Sequence, residues 1–246
     1  EEAVLYIYGS AKDATNYRKL KSRFKERLLN TLYFIDINHA AEMDSSRKAY
    51  FDCMNRLYLS NILLRYAESR NASIQLIMDS YSVARKNNFF DILKEYSYKL
   101  LVHYGMSGDE KKYKEEYVAY LHYSNEYELE QKAQLIYTRV MMTVHFTKKN
   151  QEQKDAEVKQ CVEDIEKIVS QAKSLVVYFI YIRIYLFYYE ISGDNTKINE
   201  TCDTYLQQYS KYYSSILSQN YLNTIYIYKL KSLFDLRMDK EALALI

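Results

Sequence analysis

Not one proline and only four glycines interrupt the 246 residues of this chain. An average chain of this length holds about 12 prolines and about 17 glycines. Those residues supply the turns of β-sandwiches and barrels and the phosphate loops of nucleotide-binding folds. Their scarcity excludes such architectures and leaves long helices joined by short polar loops. A hydrophobic fraction of 48% excludes a disordered chain. The net charge of +2, from 34 basic and 32 acidic residues, gives no bulk attraction for nucleic acid.

Apolar residues recur at helical spacing almost throughout. The pattern predicts helices over 14–35, 45–68, 71–87, 88–104, 109–125, 127–146, 155–172, 175–191, 195–212 and 215–236, with a last helix just begun at 239. Asn71 and Asn88 read as N-caps, and Gly105–Asp109 and Ser192–Asp194 as glycine stops followed by acidic caps. Residues 36–44 read as a linker, which divides the chain in two. One part is 1–44, an N-terminal helix and linker; the other is 45–246, against whose first repeat that helix is expected to pack. The first residue is not Met and the last segment reads as an unfinished helix, so the chain is expected to be a piece of a longer protein.

The run Leu175 to Tyr189 imitates a membrane span but falls short of the roughly 20 residues a bilayer needs, and Arg183 sits in its middle. A helix apolar on nearly all sides is otherwise a buried central one. No membrane insertion is expected, and Arg183, off the stripe of Tyr178, Tyr181, Tyr185 and Tyr188, is expected to reach solvent or a carboxylate. Cys53, Cys161 and Cys202 are too widely spaced for a metal knuckle or redox pair, and fit buried thiols in a reducing cytosol.

The helices beginning near 45, 88, 127, 174 and 215 recur with a period of about 40 residues, the spacing of helix–turn–helix repeats. Leu101-Val102-His103-Tyr104 and Thr143-Val144-His145-Phe146 occupy matching positions before a loop. Leu233 to Leu243 repeats the shape: aromatic, short turn, acidic cap, Ala-Leu helix. On these residues, 45–246 resembles the tetratricopeptide-like helical repeats, without the family's Trp or Pro. The resemblance implies an all-α, right-handed α-solenoid of about five stacked antiparallel helix pairs, preceded by the N-terminal helix. It also implies a protein- or peptide-binding groove lined by the first helix of each pair.

Polar stripes on those first helices name the groove candidates: Tyr58, Asn61 and Arg65; Tyr96, Lys99 and His103; Gln134, Thr138 and His145; Asn220, Thr224 and Lys231. Tyr178, Tyr181 and Tyr185 join them, because tyrosine is unusually abundant at 29 residues and favoured at recognition surfaces. Further tyrosine stripes fall at 113, 117, 120 and 127, and at 205, 209 and 212.

No HExxH, CxxC or Gly-x-Ser-x-Gly occurs, and His39, His103, His122 and His145 lack metal-ligand spacing. No catalytic residue, cofactor or metal is expected. Lys12, Arg18, Lys19, Lys21, Arg23, Lys25 and Arg27 surround the first helix on every side except its apolar stripe of Tyr17, Leu20, Phe24, Leu28, Thr31 and Ile35, as a solvated helix would. The expectation is a non-enzymatic protein- or peptide-binding module of a larger cytoplasmic, bacterial protein, able to self-associate. The alternative is nucleic-acid binding through the basic first helix.

Overall fold

The computed structural model describes residues 6, 14–32, 45–209 and 218–245, and these are helical with short connections and no strand. The chain divides into two units, residues 1–43 and 44–246. The first contains α1, Ala14–Leu32. Thr31 lies in α1 with its side chain outside the described residues, as do Lys12, Ile35, His39 and the expected linker entirely.

The second unit contains α2 (Ser45–Leu63), a 3-10 turn (Ala67–Ser69), α3 (Arg70–Lys86), α4 (Phe90–Ser107) and α5 (Glu110–His145). It continues through α6 (Gln151–Val169), α7 (Leu175–Ser192), α8 (Asn195–Tyr209), α9 (Ser218–Asp235) and α10 (Asp239–Leu245). From α2 onward neighbours in sequence pack together, and α2 also meets α4 as α5 meets α7. Two helix ends use the same device. Gly108 and Gly193 adopt left-handed φ values of 74° and 70°, where a side chain would be strained. Asp109 and Asp194 follow, accepting from the backbone N–H of Lys112 and Lys197 at 3.1 Å.

Several expected boundaries differ: the helix expected over 45–68 ends at Leu63, and the one expected from 155 starts at Gln151 behind an Asn150 cap. The helices predicted at 109–125 and 127–146 are one helix of 36 residues, α5. Nothing at Ser124-Asn125 breaks a helix, and the two halves of α5 serve different cores. Tyr123 belongs to the cluster of Cys53, Ile77, Phe90, Leu93 and Tyr96. Leu129, Ala133, Tyr137 and Val140 pack against α6 and α7. Asn71 lies inside α3 rather than capping it, because the 3-10 turn starts the coil earlier. Asn88 takes a left-handed φ of 53° and Phe89 occupies the cap position of α4.

α7 joins two cores: Val177, Ile180 and Ile184 face α5 and α6, while Phe179, Ile182 and Leu186 face α8 and α9. Among the described residues it alone is long and apolar enough to cross a membrane by length and composition. Its 18 residues exceed the apolar run read from the sequence. Arg183 corrects an expectation. Its guanidinium lies 4.2 Å from the Tyr137 ring centroid and 5.5 Å from that of Phe179, and it donates to the Tyr137 hydroxyl. Half-buried, this cation is taken by ring faces and a hydroxyl rather than by a carboxylate. Cys53, Cys161 and Cys202 are buried free thiols, and burial pushes Cys53 up to about 11 and Cys202 up to about 12.

Candidate ligand-binding cavity

The unit 44–246 carries an open cavity of about 630 Å³, within the range of about 300–1,000 Å³ typical of ligand pockets. Its wall is drawn from five helices that lie far apart in sequence. Arg47, Tyr50 and Phe51 come from the first turns of α2, and Phe89, Phe90 and Asp91 from the start of α4. Tyr127, Glu130 and Gln131 come from the middle of α5, Val176 from the start of α7 and Tyr221 from the start of α9. These helices begin near the positions from which a repeat was expected, except that residues 127–131 lie in the middle of α5.

Two properties distinguish the wall. It is aromatic: the Tyr50 and Phe89 rings meet edge to face at 5.1 Å, beside Phe51, Phe90, Tyr127 and Tyr221. It is also acidic, through Asp91 and Glu130, with the charge of Glu126 acting on Glu130 from outside the lining. Tyr50 donates to Asp91 Oδ2 at 2.6 Å; burial, then the Asp91 carboxylate, push that phenol upward. Glu126, only 2% exposed, accepts from the backbone N–H of Lys173 at 2.9 Å and of Ser174 at 3.1 Å. It thereby caps α7, where a helix favours negative charge. Ser174, the N-cap of α7, donates its hydroxyl to Glu130 Oε1.

Glu130 is the unusual group. Burial raises its carboxyl to about 7, and the charges of Asp91 and Glu126 add to that against the opposing Ser174 hydrogen bond. No ion pair among the described residues involves Glu130, Glu126 or Asp91. By contrast Glu128, on the same helix, pairs with Lys132 at 2.7 Å.

A second, smaller depression of about 230 Å³ shares Asp91 and Tyr127 with the cavity and adds Met54, Leu57, Ile92, Lys94 and Glu95. Together they run along the α2–α4 seam. On α2, residues 47, 51, 54, 58 and 61 recur every three or four positions and so share a face. Phe51, Met54 and Tyr58 on it are 40%, 39% and 49% exposed.

The polar-stripe candidates fall around this seam and beyond it, and those with described side chains do not line the cavity itself. Tyr58, Asn61 and Arg65 are exposed or half-buried on α2 and just past its end, and Lys99 of α4 donates to Asn61 Oδ1. His103, half-buried, packs on the Tyr104 ring at 5.4 Å. Tyr96 does not belong to any groove. It is fully buried, donating to the Cys53 carbonyl at 2.7 Å and accepting from Ser80 Oγ at 2.8 Å. The periodicity that placed it on a polar stripe registered a core tyrosine whose hydroxyl is satisfied internally. Gln134, Thr138 and His145 are exposed; the Thr138 hydroxyl donates to the Gln134 carbonyl, and His145 meets the Phe187 ring at 6.0 Å. Tyr178, Tyr181 and Tyr185 are half-buried and form a ladder with centroids 6.0 and 4.8 Å apart. Its ends donate to Gln208 and Glu166. Thr224 is half-buried and Lys231 pairs with Glu190 at 2.5 Å. The side chains of Asn220 and Tyr209, and Tyr212 as a whole, lie outside the described residues.

Sequence reasoning missed the carboxylate group around Glu130, although a signal existed. Glu126 and Glu130 stand four apart on one helix, a like-charge spacing that disfavours an isolated helix. Neither has Lys or Arg three or four positions away, whereas Glu110 and Glu128 do. No family model, curated protein or solved structure matches this chain.

Proposed function

We propose that residues 44–246 form a stack of tetratricopeptide-like helix pairs that binds a protein or peptide segment, as a non-enzymatic module of a larger intracellular protein. The observation that carries this reading is the aromatic cavity built from the starts of α2, α4, α7 and α9 and the middle of α5, and continued along the α2–α4 seam. A depression that runs on into a seam bearing exposed Phe51, Met54 and Tyr58 suits an extended segment better than a compact metabolite. Asn61 and Lys99 stand further along the same seam, where their polar groups can meet a peptide main chain.

The test is selection of a random heptapeptide library on the immobilised intact chain. Enrichment is expected, with loss of binding in Phe51→Ser and retention in Leu135→Ser, a change at a 70% exposed position outside the cavity. No enrichment, or equal binding by both variants, overturns the reading.

A second reading rests on α1, where Arg18, Lys19, Lys21, Arg23, Lys25 and Arg27 are all exposed. Nucleic-acid binding through these groups predicts an affinity that falls by orders of magnitude between low and moderate salt.

A further inference from the structure

We infer that the cavity holds an organic cation, the ammonium or guanidinium group of a basic peptide side chain, with Glu130 as its counter-ion. The inference deepens the peptide-binding reading and rests on it. Around Glu130, Asp91 faces in from α4, Tyr50 and Arg47 from α2, Tyr221 from α9, and Glu126 from its own helix. Two of the three carboxylates already have tasks: Glu126 caps α7, and Asp91 takes the Tyr50 hydroxyl. Glu130 receives a neutral hydroxyl, and the groups acting on its charge are Ser174, Asp91 and Glu126, with no cation among them. A partly buried carboxylate held beside two others is costly to ionise. A cation arriving in the cavity removes that cost.

The rest of the wall suits the same guest. Aromatic faces attract cations, and Tyr127 already takes one: Lys94 Nζ lies 5.2 Å from its ring centroid. No group of three or more His, Cys, Asp and Glu among the described residues is placed to hold a metal ion, so the chemistry favours an organic cation. The apolar stem of a lysine or arginine suits the aromatic side chains of the wall, and its charged head suits Glu130 among them.

The probes are N-acetyl-L-arginine amide and its neutral isostere N-acetyl-L-citrulline amide, added to the intact chain labelled with ¹³C at glutamate carboxyls. Glu130 is assigned by the signal lost in Glu130→Gln. Its titration midpoint near 7 should fall by about one unit or more with the arginine amide and stay fixed with the citrulline amide. Heptapeptides enriched from the random library should lose about tenfold in affinity at pH 8 when their Lys or Arg is replaced by citrulline. The loss should shrink at pH 5.5, where Glu130 is protonated. Glu130→Gln should erase the discrimination while leaving the citrulline peptides' affinity intact. Gln131→Lys, an exposed change that sets a fixed ammonium in the wall, should weaken basic peptides alone. A midpoint moved equally by both amides, or discrimination that survives Glu130→Gln, overturns the inference and leaves peptide binding standing. An arginine-specific shift without any enriched heptapeptide would retain the cation site and remove the peptide reading.

Discussion

Replacing Glu130 by Gln should stabilise the protein in a pH-dependent way. The carboxyl of Glu130 moves from its ordinary 4.5 up to about 7 on folding, burial being the largest cause. The folded chain therefore holds this proton more tightly than the unfolded chain does. Stability from this group is complete below about 4.5, falls as pH rises, and is fully lost above about 7. A shift of that size corresponds to about 3 kcal/mol. Glutamine keeps an oxygen for the Ser174 hydroxyl and carries no charge at any pH. Urea unfolding of the intact chain, followed by far-UV circular dichroism, should give similar stabilities for the two proteins at pH 4.5. At pH 8 the variant should be ahead by about 3 kcal/mol at most. Glu128→Gln is the control, because its carboxylate is exposed and pulled downward by the hydrogen bond and charge of Lys132. A Glu130→Gln advantage that is constant with pH, or that shrinks as pH rises, would show that Glu130 is not a carboxylate strained by burial.

Tyr96→Phe should cost about 1–2 kcal/mol, because its hydroxyl bonds both the Cys53 carbonyl and Ser80 in a buried site, as chemical denaturation will show. Ile184→Ala, at a position with no exposed surface, should cost about 2–5 kcal/mol by the same assay. Asn125→Pro should cost about 3 kcal/mol or more if α5 is one continuous helix, and little if a break lies there, read by thermal unfolding. Arg183→Ala should destabilise through lost ring packing with Tyr137 and Phe179, and Arg183→Met should recover much of the loss; equal effects of the two would count against the stacked arrangement.

Helix existence was legible because the apolar period and the rare glycines agree. Gly108–Asp109 and Gly193–Asp194 were read as stop and cap, and they act so. Continuity was harder. The repeat period suggested a boundary near residue 126, but a period records which faces are apolar, and a helix can pass from one core to the next without breaking. Tyr96 and Lys99 look alike in a polar-stripe argument, since both carry a polar end. Only the neighbours decide that Tyr96 meets Cys53 and Ser80 inside, while Lys99 meets Asn61 outside. The cavity was illegible for a similar reason. Tyr50, Asp91, Tyr127 and Tyr221 come together through tertiary packing, and helical spacing relates residues on one helix alone.

Chemical-shift mapping on the intact chain with an enriched heptapeptide puts the cavity itself to trial. Binding is predicted to perturb the signals of Phe51, Phe90, Gln131, Val176 and Tyr221, which come from five helices and meet in the cavity wall. Continuation toward Met54 and Tyr58 along the α2–α4 seam is also predicted. Shifts confined to the Tyr178–Tyr181–Tyr185 ladder or to α6 and α8, with the five wall residues unmoved, would contradict it.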